Sequence, residues 1–333
     1  MMPREELSRW LADPQAQAAT ADRFPVVSRQ LKALPFMERL RREVDAVPRG
    51  DAASALNCAR RAMPDENGLT EVFSCLAEAA AGDPYFRPAL RSVASEVHTG
   101  ILLFDTAELT LFVSVISAEG LAAKRRSRVG ARSIVFPGHQ SLYRFVRSGG
   151  ATLCFGGAPQ IEAGFKAAGS GRCRFLEQRH IADGELFEMD GRSESFVVEH
   201  AAGDIVYLQA ITSAGRAPLT VEYDADSHDF VGASSTDEIS SRTQMMLSLL
   251  RTMERADAVP VMIGMLDNPN FYARWQAMRE LLALDAEAAL PHLSAMAERD
   301  PHPEVRVAAA ATLSACFPHV AEKPAPQFAL EVN

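Results

Sequence analysis

Residues 183–208 read DGELFEMDGRSESFVVEHAAGDIVYL. The runs ELFEMD, ESFVVEH and DIVYL follow Asp183-Gly184, Asp190-Gly191 and Gly203-Asp204. Each run mixes aromatic or β-branched residues with polar ones at near alternation, the pattern of a strand with one buried face. Each break is a turn dipeptide whose glycine or aspartate tolerates the backbone that a tight reversal needs.

The same pattern extends outward from this stretch. GILLFDTAELTLFVSVISAEG opens the series near Gly100, SIVF, SLYRFVR, ATLCFGG and CRFLEQRH precede the quoted residues, and APLTVEYD follows them. That makes about ten closely spaced strands with no helix-length pattern between them, which excludes a parallel α/β sheet and predicts an antiparallel sandwich, barrel or jelly roll. The glycine-rich GGAPQIEAGFKAAGSGRC, residues 156–173, is expected to form a long loop over one end of it.

Both flanks read as helix. Before residue 99, LSRWLAD, VVSRQLKALPFMERLRREVDAV, DAASALNCARRAM and LTEVFSCLAEAAA space apolar residues by three and four, and prolines 25, 35, 48, 64, 84 and 88 punctuate them. DADSHDFVGASSTDE is expected as a linker, with Ser235–Glu238 forming a capping box for the helix behind it. Two segments then align at a spacing of 32 residues, which places Asn268-Pro269 on Asp300-Pro301, Arg274 on Arg306, Ala277 on Ala309 and Leu281 on Leu313. A fixed period of this size is the mark of stacked helical repeats.

The expected fold is therefore α+β and multidomain: a helical N-terminal domain over 1–98, an antiparallel β jelly roll over 99–225, a C-terminal α-solenoid over 236–320, and a flexible tail over 321–333.

Charge and cysteine content bound the function. A net charge of −9 leaves KRRSR at Lys124–Arg128 as the one basic cluster, read as a solvated face, so neither nucleic acid nor an anionic membrane is an expected partner. Five scattered cysteines without a C-x-x-C pair argue against a disulfide framework and a zinc knuckle. The charged start MMPREELSRWLAD does not read as a signal peptide, and a cytoplasmic location is expected. His292, His302 and His319 stand beside prolines in inter-helix turns and are read as solvated or capping residues; Phe271, Tyr272 and Trp275 are read as packing between repeat and barrel. No G-x-S-x-G elbow, phosphate loop or H-x-D/E triplet is written in the chain.

DPHPEVRVAAAATL, residues 300–313, resembles the second helix of a short HEAT repeat of the phycobilin-lyase type, D-x-x-x-x-V-R-x-x-A-A-x-A-L. That resemblance implies that Arg274 and Arg306 lie along a polar ladder with aspartates of neighbouring repeats, and that a protein or peptide partner binds the helices. The strand series from Ser133 to Asp224 resembles a cupin-like jelly roll, with ELFEMDG at the close of the first cupin motif and GDIVYL in the second.

A cupin site needs three imidazoles and a carboxylate turned inward, because residues two apart on a strand share a face. With His180 as the second histidine of the first motif, Gln178 stands in the place of the first and Glu185 in the carboxylate position. The second motif starts at Gly203 but has Gln209, Ile211 and Ala214 where it calls for Pro, Gly and His. The resemblance thus implies Gln178, His180 and Glu185 as barrel ligand-binding residues, His180 and Glu185 as metal ligands if a divalent transition metal is bound, with gaps left for His139, His200 or His228, and a homodimer paired through sheet edges.

Two functions follow. One is a non-enzymatic binding or adaptor protein whose barrel takes a small ligand and whose helices take a protein or peptide. The other is a metal-dependent cupin-like oxygenase or isomerase acting on a small molecule or peptide. Fold alone does not choose between them.

Overall fold

The computed structural model describes residues 4–86, 90–127, 132–160 and 171–318. Two compact units divide the chain at residues 233 and 234. The expected 321–333 tail lies outside the described residues.

The first unit opens with five helices: α1 (Arg4–Leu11), α2 (Pro14–Lys32), α3 (Pro35–Asp45), α4 (Ala52–Ala62) and α5 (Glu66–Gly82). Aspartates cap three of them: the Asp13, Asp51 and Asp65 side chains accept from backbone N–H groups at the starts of α2, α4 and α5. Pro35 sits in the first turn of α3, as the sequence predicts, but Pro25 lies inside α2 and does not end it.

Next come β1 (Ser92–Ala94), β2 (His98–Asp105), β3 (Leu109–Ile116), α6 (Ala118–Ser127), β4 (Ser133–Phe136), β5 (Gln140–Arg147) and β6 (Thr152–Gly157). They are followed by β7 (Arg174–His180), β8 (Leu186–Asp190), β9 (Glu194–His200), β10 (Ile205–Thr212), β11 (Leu219–Asp224) and β12 (Phe230–Ser235). Three of these elements depart from the sequence reading. β1 falls within the stretch read as helical, α6 interrupts the strand series and carries Lys124–Arg126, and β12 forms where a linker was expected. β12 pairs with β11 in spite of its polar composition because the Asp224–Asp229 reversal returns the chain: Asp224 Oδ1 accepts from the N–H groups of Asp226 and Ser227, and His228 takes φ +64°.

One sheet runs β1-β2-β3-β10-β5-β8 and two three-stranded sheets run β12-β11-β4 and β7-β6-β9; the pairs of the large sheet, β4 with β11, and β6 with both β7 and β9 are antiparallel. β4 runs beside β9, where Ser195 Oγ donates to Val135 O, so the smaller sheets together form the second wall of a jelly roll.

The central strands of the large sheet, β3, β10 and β5, are covered on both faces. The sheet's outer face, with Leu111, Val113, Leu142, Leu208 and Ala210, shares one core with Phe36, Leu40, Leu56, Met63 and Leu69 of the helical part. Each such side chain withdrawn from water contributes about 1.5–3 kcal/mol when large and apolar. The helices of residues 1–98 and the strands are thus joined through one continuous core. Arg144 of β5 crosses this core: it donates to Met63 O (2.8 Å) and to Glu66 Oε1 (2.8 Å) while nearly all its side chain is buried.

The second unit holds α7 (Glu238–Thr252), α8 (Val259–Gly264), α9 (Phe271–Leu284), α10 (Ala286–Arg299) and α11 (Pro303–Cys316). The N-cap of α7 is Asp237, whose carboxylate accepts from Ile239 and Ser240 N–H; Ser235, predicted as the cap, ends β12 and donates its hydroxyl to Tyr272 Oη. Alanines 277, 289 and 309 are fully buried at the helix contacts, where their small side chains let helices approach closely. Phe271 and Trp275 pack on this unit's own core.

The 32-residue period has a physical counterpart. Arg274 donates to Asn268 O and Pro269 O, Arg306 donates to Asp300 O and Pro301 O, and Arg274 also grips the Asp300 carboxylate through Nε (2.9 Å) and Nη2 (2.7 Å). Burial raises the pKa of the Asp300 carboxyl, but hydrogen bonds from Arg274 and His302 N–H outweigh it and hold it below its ordinary value.

Two outcomes are expected. Arg144→Ala leaves Met63 O without its donor and lowers the stability of the first unit by about 1–3 kcal/mol in urea unfolding followed by circular dichroism. In the second unit, a carboxyl with a depressed folded pKa stabilises above its unfolded value and loses that contribution as pH falls through the folded one. Urea midpoints followed by Trp275 fluorescence in a Trp10→Phe background should therefore drop below about pH 4, and in Asp300→Asn that acid-dependent drop should shrink.

Candidate functional site

Register decides which side chains enter the jelly roll. On β6, Leu153 pairs with Arg179 of β7 and Val198 of β9, and Phe155 pairs with Glu177 and Phe196. Leu153, Phe155, Phe196 and Val198 belong to the interior cluster, so this row faces in. The next row, His180–Thr152–His200, faces out, as does Gln178 beside Cys154.

His180 is exposed, with Nδ1 2.8 Å from Thr152 Oγ1, and Gln178 is exposed on the same strand. His200 lies on the far side of Thr152, about 9–10 Å from His180 at the backbone, two strand spacings away. Glu185 is half-buried in the turn after β7, where Oε2 accepts from Ala182 N–H (2.9 Å) and Oε1 stands 3.5 Å from Arg179 Nη2. The inward residue between Gln178 and His180 is Arg179, which the cupin-pattern reading passed over. Its signal in the sequence is parity alone: it sits one residue off the histidine frame.

The interior is aromatic. Tyr143, Phe145 and Tyr207 are buried, with ring centroids 5.6–6.0 Å apart along Phe145–Tyr207 and Tyr143–Tyr207, while Phe187 and Phe196 are partly buried and lie 5.4 and 5.2 Å from Tyr143, with partly buried Phe155 5.6–5.7 Å from both of them. Offset and edge-on contacts at these spacings add to the burial energy of each ring. Gln209 Nε2 donates to Tyr143 Oη (2.8 Å), and burial raises the hydroxyl pKa values of both Tyr143 and Tyr207, keeping them protonated. Gln209, which replaces the second-motif proline, is thus a partner for an interior tyrosine.

The remaining histidines stand apart. Burial, then the charge of Arg216, pushes His139 down to about 4, so it is neutral at ordinary pH, and burial also lowers His98, whose Nε2 lies 3.5 Å from Tyr207 Oη. Among the described residues no three His, Cys, Asp or Glu side chains are gathered so as to hold a metal ion. The donor set that a first-row metal requires is not assembled around His180 and Glu185.

Comparisons with known proteins agree with the helical part. A profile described as HEAT repeats matches residues 236–314. Among curated proteins none matches the chain. Solved structures similar to it include ectoine synthase from P. lautus, at 11% identity and TM-score 0.24, covering 37% of this chain and 69% of that one. An RmlC-like cupin from Shewanella frigidimarina is 8% identical with TM-score 0.23, over 38% of this chain and 86% of that one. A DMSP lyase from Ruegeria pomeroyi is 8% identical with TM-score 0.27, over 43% and 63%.

The inward and outward rows predict unequal costs. Phe145→Ala should destabilise the first unit by about 3–5 kcal/mol in urea unfolding, whereas His180→Ala, at an exposed site, should stay within about 1 kcal/mol.

Proposed function

We propose that this chain is a non-enzymatic binding protein, with a jelly roll that takes a small ligand at an aromatic-lined mouth and repeats that seat a protein or peptide. The observation that carries this reading is the row assignment on β7 and β6. Leu153, Phe155, Arg179 and Glu177 share the inner parity, with Arg179 against the rings of Phe155 and Phe187, and the two positions that a cupin fills with histidines, 178 and 180, lie on the outer one.

The repeats support the second half of the reading. The face of α7 turned away from the repeat core exposes Ile239, Met245, Met246, Leu249 and Met253. Unbranched, polarisable methionine side chains on a helix adapt to apolar peptide surfaces. No helix among the described residues is long and apolar enough to cross a membrane.

Elemental analysis separates this reading from a metal-dependent oxygenase or isomerase. Protein purified without added metal, and again after anaerobic reconstitution, is expected to hold no stoichiometric iron, zinc, nickel or manganese that depends on His180. Stoichiometric metal in the natural chain that disappears in His180→Ala would overturn the proposal.

A further inference from the structure

Arg179 is held in an unusual setting for a cation. Its guanidinium carbon lies 4.9 Å from the ring centroids of both Phe155 and Phe187, two partly buried rings set 5.6 Å apart and steeply inclined at 70°, so the charge sits against both. Arginine suits such a place because its delocalised charge is weakly hydrated and lies flat on aromatic faces. The guanidinium is a planar fork of N–H donors, with Nε–H and one Nη2 N–H side by side along one edge.

One edge of that fork is incompletely used. Arg179 Nε is shielded from solvent and has no hydrogen-bond partner, and Nη2, on the same edge, has the Glu185 carboxylate at 3.5 Å, too long for a good charge-assisted bond. Glu185 is anchored elsewhere, by Ala182 N–H at 2.9 Å. A buried donor with no acceptor is costly, and an Nε/Nη2 edge matches the two oxygens of one carboxylate.

We infer that Arg179, framed by Phe155 and Phe187, is a binding site for a small carboxylate with an aromatic or apolar body. The ligand's carboxylate takes the Nε/Nη2 edge in a bidentate pair, its body lies on the partly buried rings of Phe155, Phe187 and Phe196, and Glu185 turns away as the anion it replaces. Glu185 is therefore a competitor built into the site. This inference rests on the reading of the chain as a binding protein. It fails separately from that reading, since the repeats' role and the metal test do not depend on Arg179.

The test is a nuclear magnetic resonance titration of the full chain with sodium benzoate, following the Arg179 Nε–H resonance and the ring signals of the interior. Sodium chloride and benzyltrimethylammonium chloride at the same ionic strength serve as comparisons. Benzoate is expected to give a saturable shift, Arg179→Lys, which keeps the charge and loses the fork, should weaken it by about tenfold or more, and Glu185→Gln, which keeps an acceptor for Ala182 N–H, should tighten it. Ring signals of each variant in the absence of benzoate report whether the interior is intact, and the Glu185→Gln arm does not depend on how Arg179 variants fold. The inference is overturned if benzoate acts no differently from chloride, if the quaternary ammonium is the probe that saturates, or if Glu185→Gln leaves benzoate affinity unchanged.

Discussion

The structure of the first unit depends on the two-residue period of β10. Ile205, Tyr207 and Gln209 point into the jelly roll, while Leu208 and Ala210 point to the helices, and both sets are withdrawn from water. With no solvent face to tolerate error, a slip of one residue would drive Tyr207 into the helical core and Leu208 against the aromatic rings. Register is consequently fixed from both sides. The paired strands β3 and β5 inherit it, and so does β8 beyond them.

That constraint propagates to chemistry. The small sheet β7-β6-β9 packs its inner row on the rings set by β5, β8 and β10, and Leu153 on β6 assigns the parity of β7. Arg179 then faces the interior and His180 faces Thr152 on the outside. The turns that make this register possible are tight: Gly149, at φ +59°, brings its own carbonyl to Ala202 and Gly203 N–H, and a Cβ there would meet Gly203 O at 2.2 Å. In the second unit the corresponding fixed element is the buried Arg274–Asp300 pair, which ties one repeat to the next while each arginine closes its own Asn-Pro or Asp-Pro turn.

Most strands were legible because alternation and turn dipeptides coincide in them. ELFEMD, ESFVVEH and DIVYL became β8, β9 and β10 with the glycine turns where the sequence puts them, Gly184 at φ +78° among them. The repeat was legible because its arginines and alanines recur at one spacing. β7 was not legible in its facing. RFLEQRH is an edge strand with exposed Phe175 and Leu176, so hydropathy carries no parity, and a histidine pattern supplied the frame that the packing of Leu153 and Phe155 reverses. α6 and β12 were missed for a related reason: their sequences are polar, and tertiary pairing, not propensity, selects their conformation. Pro25 was read as a break because the rule is local, yet α2 continues through it, packing Val27 and Leu31 into the shared core.

The central claim is the facing of β6 and β7, and single-cysteine accessibility reads it directly. Cysteines placed at 178, 180 and 153 would be labelled with a maleimide and quantified by peptide mass spectrometry in native and unfolded protein. Gln178→Cys and His180→Cys should label in the native state at rates near those of the unfolded chain, and Leu153→Cys should be protected until the first unit unfolds. Protection at 178 and 180 with ready labelling at 153 would mean that the rows are reversed and that the histidine frame, not the aromatic one, lines the interior.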